Sequence, residues 1–159
     1  MAAPSIASLF DFETHFQSAI ETILAGYGLN LLSAHETATL KTPYIQVKFE
    51  SAGRADDTLV LRPSTSNYYH PHYLGLASIT VGTRINEVGQ THGTYRGLVR
   101  QYMSYLQRAI TSSNLPYYDL VSTLERPTQS AVDADNDRAI TILTFELDFL
   151  IRTDAWPAP

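Results

Sequence analysis

The sequence predicts an α+β domain with a mostly antiparallel sheet of about four to five strands and two main helices packed on one face. Two segments repeat apolar residues every three or four positions, as amphipathic helices do, and several others alternate apolar and polar residues, as half-buried strands do. The chain has 159 residues, 44% of them hydrophobic, which is enough for a core of its own. We therefore expect a single domain over residues 1–159, folded from about 9 to 156 with short tails at both ends.

The first helix is predicted over residues 9–25. Ser8 is its expected N-cap, and Gly26 and Gly28 are expected to end it, because glycine adopts the left-handed conformation of many helix ends at little cost. The apolar positions that indicate this helix are Leu9, Phe12, Phe16, Ile20, Ile23 and Leu24.

Strand-like alternation follows in the middle of the chain. Residues 43–50 place apolar side chains at every second position after a proline, and residues 73–85 do the same over a longer stretch, with Gly75 and Gly82 as expected bends or bulges. Between these two strands, the sequence predicts a turn at 53–57, a short strand at 58–62 and a loop at 63–71.

The second half predicts a helix and two further strands. The helix covers residues 94–110, and the strands cover 118–124 and 139–152. In the last strand, Phe145, Leu147 and Phe149 are expected to face the helices.

Residues 127–138 are expected to form a twelve-residue loop that carries Asp133, Asp135 and Asp137. Such a loop is long for a hairpin and is typical of a functional or mobile segment. The three aspartates superficially resemble a calcium loop, but the glycine and glutamate that such a loop needs are missing. The residues alone leave two interpretations open, a solvated hairpin tip or a loop that faces a pore.

Composition excludes several classes of function. There is no cysteine, so disulfides, thiolate metal sites and cysteine nucleophiles are ruled out, and the net charge of −5 argues against general binding of nucleic acid or of anionic membranes. No stretch is long and apolar enough to span a membrane, and no secretion signal is apparent at the N-terminus. Nine Arg against two Lys, with ten Tyr, favours a surface made for assembly.

Candidate sites for chemistry are few. His70 and His72 form an H-x-H pair with no third ligand at a recognisable spacing, so no metal and no cofactor are expected. No nucleophile elbow or phosphate-binding glycine loop occurs. An enzyme would have to use scattered residues such as His92 with Glu87 or Asp119, and a peptide-binding module with a free strand edge is the other outside alternative.

Two groups of residues are candidates for subunit or partner contacts. Arg96, Arg100 and Arg108 are expected to lie on one exposed face of the second helix, where they would pair with acids of a partner in preference to DNA. The aromatic residues Tyr68, Tyr69 and Tyr73 surround the histidine pair.

The order of elements resembles the tail terminator proteins of long-tailed bacteriophages and, in outline, the related tail-completion and neck proteins. The resemblance rests on the initial amphipathic helix, the strands at residues 43–49 and 79–84, the helix at 94–110, and the final strand that runs into Arg152-Thr153-Asp154-Ala155-Trp156. It covers residues 9–156 and contains no diagnostic motif.

This resemblance implies a non-enzymatic structural protein of the virion, present in the host cytoplasm during assembly. Such proteins form a ring, generally of six subunits, at the head-proximal end of the tail tube, where they end tube polymerisation and offer a surface to the neck and connector proteins. The ring interior of the family is commonly acidic, which points to Asp133, Asp135 and Asp137. DNA would pass through the lumen without specific binding. A neck, stopper or head-completion protein of the connector is the alternative.

Overall fold

The computed structural model describes residues 6–26, 30–32, 43–54, 72–87, 91–108 and 117–151. The helices are α1 (Ile6–Leu9), α2 (Phe12–Ala25) and α3 (Gly93–Arg108), and a short 3-10 turn covers Ile85–Glu87. The strands are β1 (Leu31–Leu32), β2 (Tyr44–Arg54), β3 (His72–Thr83), β4 (Tyr118–Glu125), β5 (Gln129–Asp133) and β6 (Arg138–Ile151). None of the helices in these ranges is long and apolar enough to cross a membrane.

The strands form one six-stranded sheet. Its order is β1-β2-β3-β6-β4, and β5 also pairs with β6. The α+β class is confirmed, but the sheet has six strands instead of four or five, and it is mixed because β1 runs parallel to β2. The predicted strand at 58–62 and the loop at 63–71 lie outside the described residues.

The core lies on one face of the sheet, beneath α2 and α3. Odd-numbered residues of the central strands lie opposite one another, as Val47 does with Ile79 and Ile79 with Leu143. These three side chains are fully buried, so the odd-numbered positions face the core. The expected inward side chains of β6 are buried, and α2 and α3 contribute to the same cluster. These side chains of β6 are Phe145, Leu147 and Phe149.

The first helix is broken where the sequence predicted one continuous element. Ser8 lies within α1 and is not an N-cap; its carbonyl accepts the backbone N–H of Asp11 at 3.1 Å, and Asp11 occupies the N-cap position of α2. Gly26 does follow the last residue of α2, but its φ of −59° is right-handed, so the expected left-handed ending is wrong at this position. Gly28 lies outside the described residues.

The two glycines of β3 serve close packing and not bends. A Cβ on Gly75 would lie 2.3 Å from the Phe49 ring, and one on Gly82 would lie 2.1 Å from the Tyr44 ring, so each glycine leaves room for an aromatic side chain of β2. The pairing of β3 with β6 is regular throughout. The bulge lies in β2 instead, next to Gly53, whose φ is +116°. Residues 53 and 54 therefore continue the strand and do not begin a turn.

Candidate functional site

The predicted loop at 127–138 is wrong, because most of these residues belong to strands. β5 pairs with the first part of β6, and β4 pairs with the last part, along the same edge. Between β4 and β5, the Arg126 backbone N–H donates to the Thr144 carbonyl at 2.8 Å. β4, β5 and β6 thus form one continuous structure, which we call the long hairpin.

The turn of the long hairpin contains only residues 134–137. Asp133 pairs with Arg138 just before it, and the Asn136 side-chain amide donates to the Asp133 carboxylate at 2.7 Å. Asp137 has a left-handed φ of +54°, a conformation that short polar side chains such as Asp and Asn tolerate. A four-residue connection of this kind is common in hairpins.

Three carboxylates are brought together at this turn. Asp135 and Asp137 are exposed and Asp133 is half-buried. We call these three residues the acidic tip. The sequence predicts them in a loose loop between two strands; the structure places Asp133 at the end of β5 and Asp135 and Asp137 in the short turn between β5 and β6.

Arg100 was predicted to contact a partner, but in the structure it contacts the chain itself. Its Nε donates to Glu125 Oε1 at 3.0 Å, and its Nη2 donates to Thr128 Oγ1 at 3.2 Å. Arg126 makes a similar bond from Nε to Glu146 Oε1 at 2.6 Å. Exposed ion pairs of this kind add little stability, but these two connect the junction of β4 and β5 to α3 and to β6.

Of the other two predicted arginines, only Arg96 has a described side chain. Arg96 is half-buried, near the start of α3. Arg108 ends α3, and its side chain is outside the described part of the structure. The expected row of three exposed arginines is therefore wrong for Arg96.

His92 lies in the interior, directly before α3. Its side chain is 2% exposed and hydrogen-bonded to two threonine hydroxyls, Thr83 Oγ1 at 2.9 Å from Nδ1 and Thr141 Oγ1 at 2.6 Å from Nε2. The Thr141 hydroxyl lies 3.3 Å from that of Ser130. Burial, and to a smaller extent the positive charge of Arg96, lowers the pKa of His92, so the imidazole is neutral near pH 7.

This arrangement gives His92 a structural role. Both ring nitrogens are hydrogen-bonded to threonine hydroxyls and, among the described side chains, neither is bonded to a carboxylate of the kind that orients a catalytic histidine. This occupancy of both ring nitrogens weighs against the hydrolase alternative built on His92. No sequence pattern indicates this hydrogen-bonded group, since Thr83 lies nine residues before His92 and Thr141 lies 49 residues after it.

Two of the aromatic and histidine candidates, His72 and Tyr73, contact their own chain. His72 Nε2 is hydrogen-bonded to the Asp148 carboxylate, and the Tyr73 ring packs 4.9 Å from Phe12 between ring centroids. In the described residues, no three His, Cys, Asp or Glu side chains form a group that could hold a metal ion. His70, Tyr68 and Tyr69 lie outside those residues.

The outer edge of the long hairpin exposes large apolar side chains. Val132 is 68% exposed, Leu124 60% and Val121 51%. The sequence predicts a strand for Val121 and Leu124 but a loop for Val132, so it does not predict this edge as one continuous surface.

The fold is shared with a virion protein. A chain from the structure titled "Virion of native gene transfer agent (GTA) particle" is similar at a TM-score of 0.50 and 14% identity, over 84% of this chain and 93% of that chain. A second solved structure is similar at a TM-score of 0.45 and 12% identity, over 96% of this chain and 98% of that one, a value too low to support an argument. No family model and no curated protein matches the chain. At these identities, the similarity establishes the fold alone.

Proposed function

We propose that this protein is a structural component of a phage-like virion and that it forms a ring at the head-proximal end of the tail tube. The observation that carries the proposal is the fold shared with a chain of the gene transfer agent virion, which spans most of both chains. The elements of this chain that resemble tail terminators in their order are α2, β2, β3, α3 and β6.

In this role the protein acts through surface complementarity and not through catalysis. The ring ends tube polymerisation on one side and offers a surface to the neck and connector proteins on the other. Among the described residues, the one buried histidine, His92, is hydrogen-bonded to two threonine hydroxyls.

The charge of the protein is suited to a channel through which DNA moves. A wall rich in Lys and Arg would bind phosphates and release counterions, which would hold the DNA in place. Six copies at −5 each give a formal charge of 6 × −5 = −30. We propose that the acidic tip faces this lumen or an adjoining ring, because its carboxylates lie at the end of a hairpin with a fixed direction.

The experiment is electron microscopy of the purified protein mixed with tail tubes of the same phage. The expected result is a ring at one end of the tube, together with tubes of uniform length when the protein is present during polymerisation. If the protein binds purified portal complexes and leaves tube length unchanged, it is a neck or stopper protein instead. If it binds neither assembly, the virion role is wrong.

A further inference from the structure

The outer edge of the long hairpin is available to another strand. β4 and β5 pair with β6 on one side, and no strand among the described residues pairs with them on the other. The three most exposed large apolar side chains in the described chain lie on this edge, and the next, Leu74, is only 40% exposed. A free edge presents backbone N–H and C=O groups that a further strand can bind.

β5 is the section of this edge that can accept a strand. β4 is interrupted by a bulge between Leu120 and Ser122, and Pro127, which has no N–H, separates β4 from β5. β5 pairs with β6 without interruption from Gln129 to Asp133. Residues 129–132 contain neither proline nor lysine, the residues with which proteins commonly block an edge.

The two ends of β5 differ in charge, so that the strand can pair with a second copy of itself in one orientation. The acidic tip lies at one end, and at the other end Arg100 and Arg126 are paired with glutamates. Two copies of β5 side by side in parallel would set one acidic tip against the other. In the antiparallel orientation, each tip lies beside the neutral end of the other copy, and Asp133 lies opposite Gln129, whose amide can donate to a carboxylate.

We propose that β5 pairs with β5 of a second copy of this chain, in antiparallel orientation and centred on Ala131. Five residues at about 3.3 Å each give a contact about 17 Å long, which is short for a stable interface, so dimers form only as the concentration rises. A two-fold contact closes at two copies and does not build a ring. The inference therefore goes beyond the proposed function, and either can fail without the other.

Sedimentation equilibrium of the full chain, from about 10 μM to 1 mM, tests the contact. We expect a reversible monomer–dimer equilibrium whose Kd rises at least about tenfold in Val132→Lys and in Ala131→Pro. Leu124→Lys is the matched control, because it adds the same charge at an equally exposed position of β4; its Kd should stay within about twofold of wild type. A wild-type chain that remains monomeric at about 1 mM overturns the proposal, and so does a control that dissociates as strongly as Val132→Lys.

Disulfide trapping tests the orientation, since the natural chain contains no cysteine. Residues directly opposite in an antiparallel pair have Cα atoms about 4.5–5.5 Å apart, within the reach of a disulfide. Ala131→Cys should therefore link to itself on mild oxidation, and Gln129→Cys should link to Asp133→Cys. Asp133→Cys alone should stay unlinked. Self-linking of Asp133→Cys faster than Ala131→Cys would mean parallel pairing, and a dimer in which none of these variants links would use another surface; both results contradict the proposal.

Discussion

Replacing Phe149 by alanine is expected to cost about 4 kcal/mol of unfolding free energy. The side chain is fully buried, with ring centroids of Phe16 at 4.6 Å, Phe12 at 5.1 Å and Tyr118 at 6.0 Å. A buried aromatic ring removes roughly 150–250 Å² from water, which is about 4–6 kcal/mol at about 25 cal/mol per Å². Alanine keeps part of this burial, and measured Phe→Ala losses of about 3–5 kcal/mol agree with the remainder.

Urea unfolding followed by far-UV circular dichroism measures this loss. A decrease of about 4 kcal/mol lowers Tm by roughly 8–16 °C in a domain of this size. The matched control is Leu124→Ala, which removes an apolar side chain that is 60% exposed and should change stability by less than about 0.5 kcal/mol. If Phe149→Ala loses less than about 1 kcal/mol, the described core does not hold the two helices on the sheet.

Three further outcomes are expected. Gly82→Ala should destabilise the chain by about 1–3 kcal/mol in urea unfolding, because its Cβ would meet the Tyr44 ring at 2.1 Å, whereas Gly97→Ala, with open space around it, should be neutral or stabilising. The pKa of His92 is lower in the folded state than in the unfolded state, so protonation favours unfolding. The contribution of neutral His92 to the free energy of unfolding is therefore present above about pH 6.5 and is lost as the pH falls below it. His92→Gln should reduce this dependence between pH 7.5 and 5, and an identical slope in both proteins would contradict it. Changing the acidic tip to three asparagines should leave the urea midpoint nearly unchanged, since exposed charges contribute little, but should lower the yield of infectious particles; full infectivity would mean that the tip has no role in the virion.

The apolar periodicity predicted most of the fold. The segments at 43–50, 73–85, 94–110 and 139–152 were predicted within a few residues of the observed elements. This agreement has a simple cause: an element with one buried face needs apolar residues at its own repeat, about 3.6 for a helix and 2 for a strand, and the sequence records that repeat directly.

The candidate site was predicted less well, because its parts depend on partners that are distant in the sequence. Arg100 is 25 residues from Glu125, and His92 is 49 residues from Thr141. The sequence shows that these side chains can form hydrogen bonds, but not which group they meet. Arg100 was therefore assigned to a partner protein, and His92 was considered as a catalytic base.

The sequence by itself determined the class of the fold, the inward face of β6 and the presence of three carboxylates between the last two strands. Only the tertiary structure decided that β5 exists, because Gln129–Asp133 has no alternating apolar pattern. Its extended conformation comes from backbone hydrogen bonds to β6, and these depend on the neighbouring strand and not on the side chains of β5. The same pairing places the acidic tip at the turn between β5 and β6 and leaves residues 129–132 of β5 exposed.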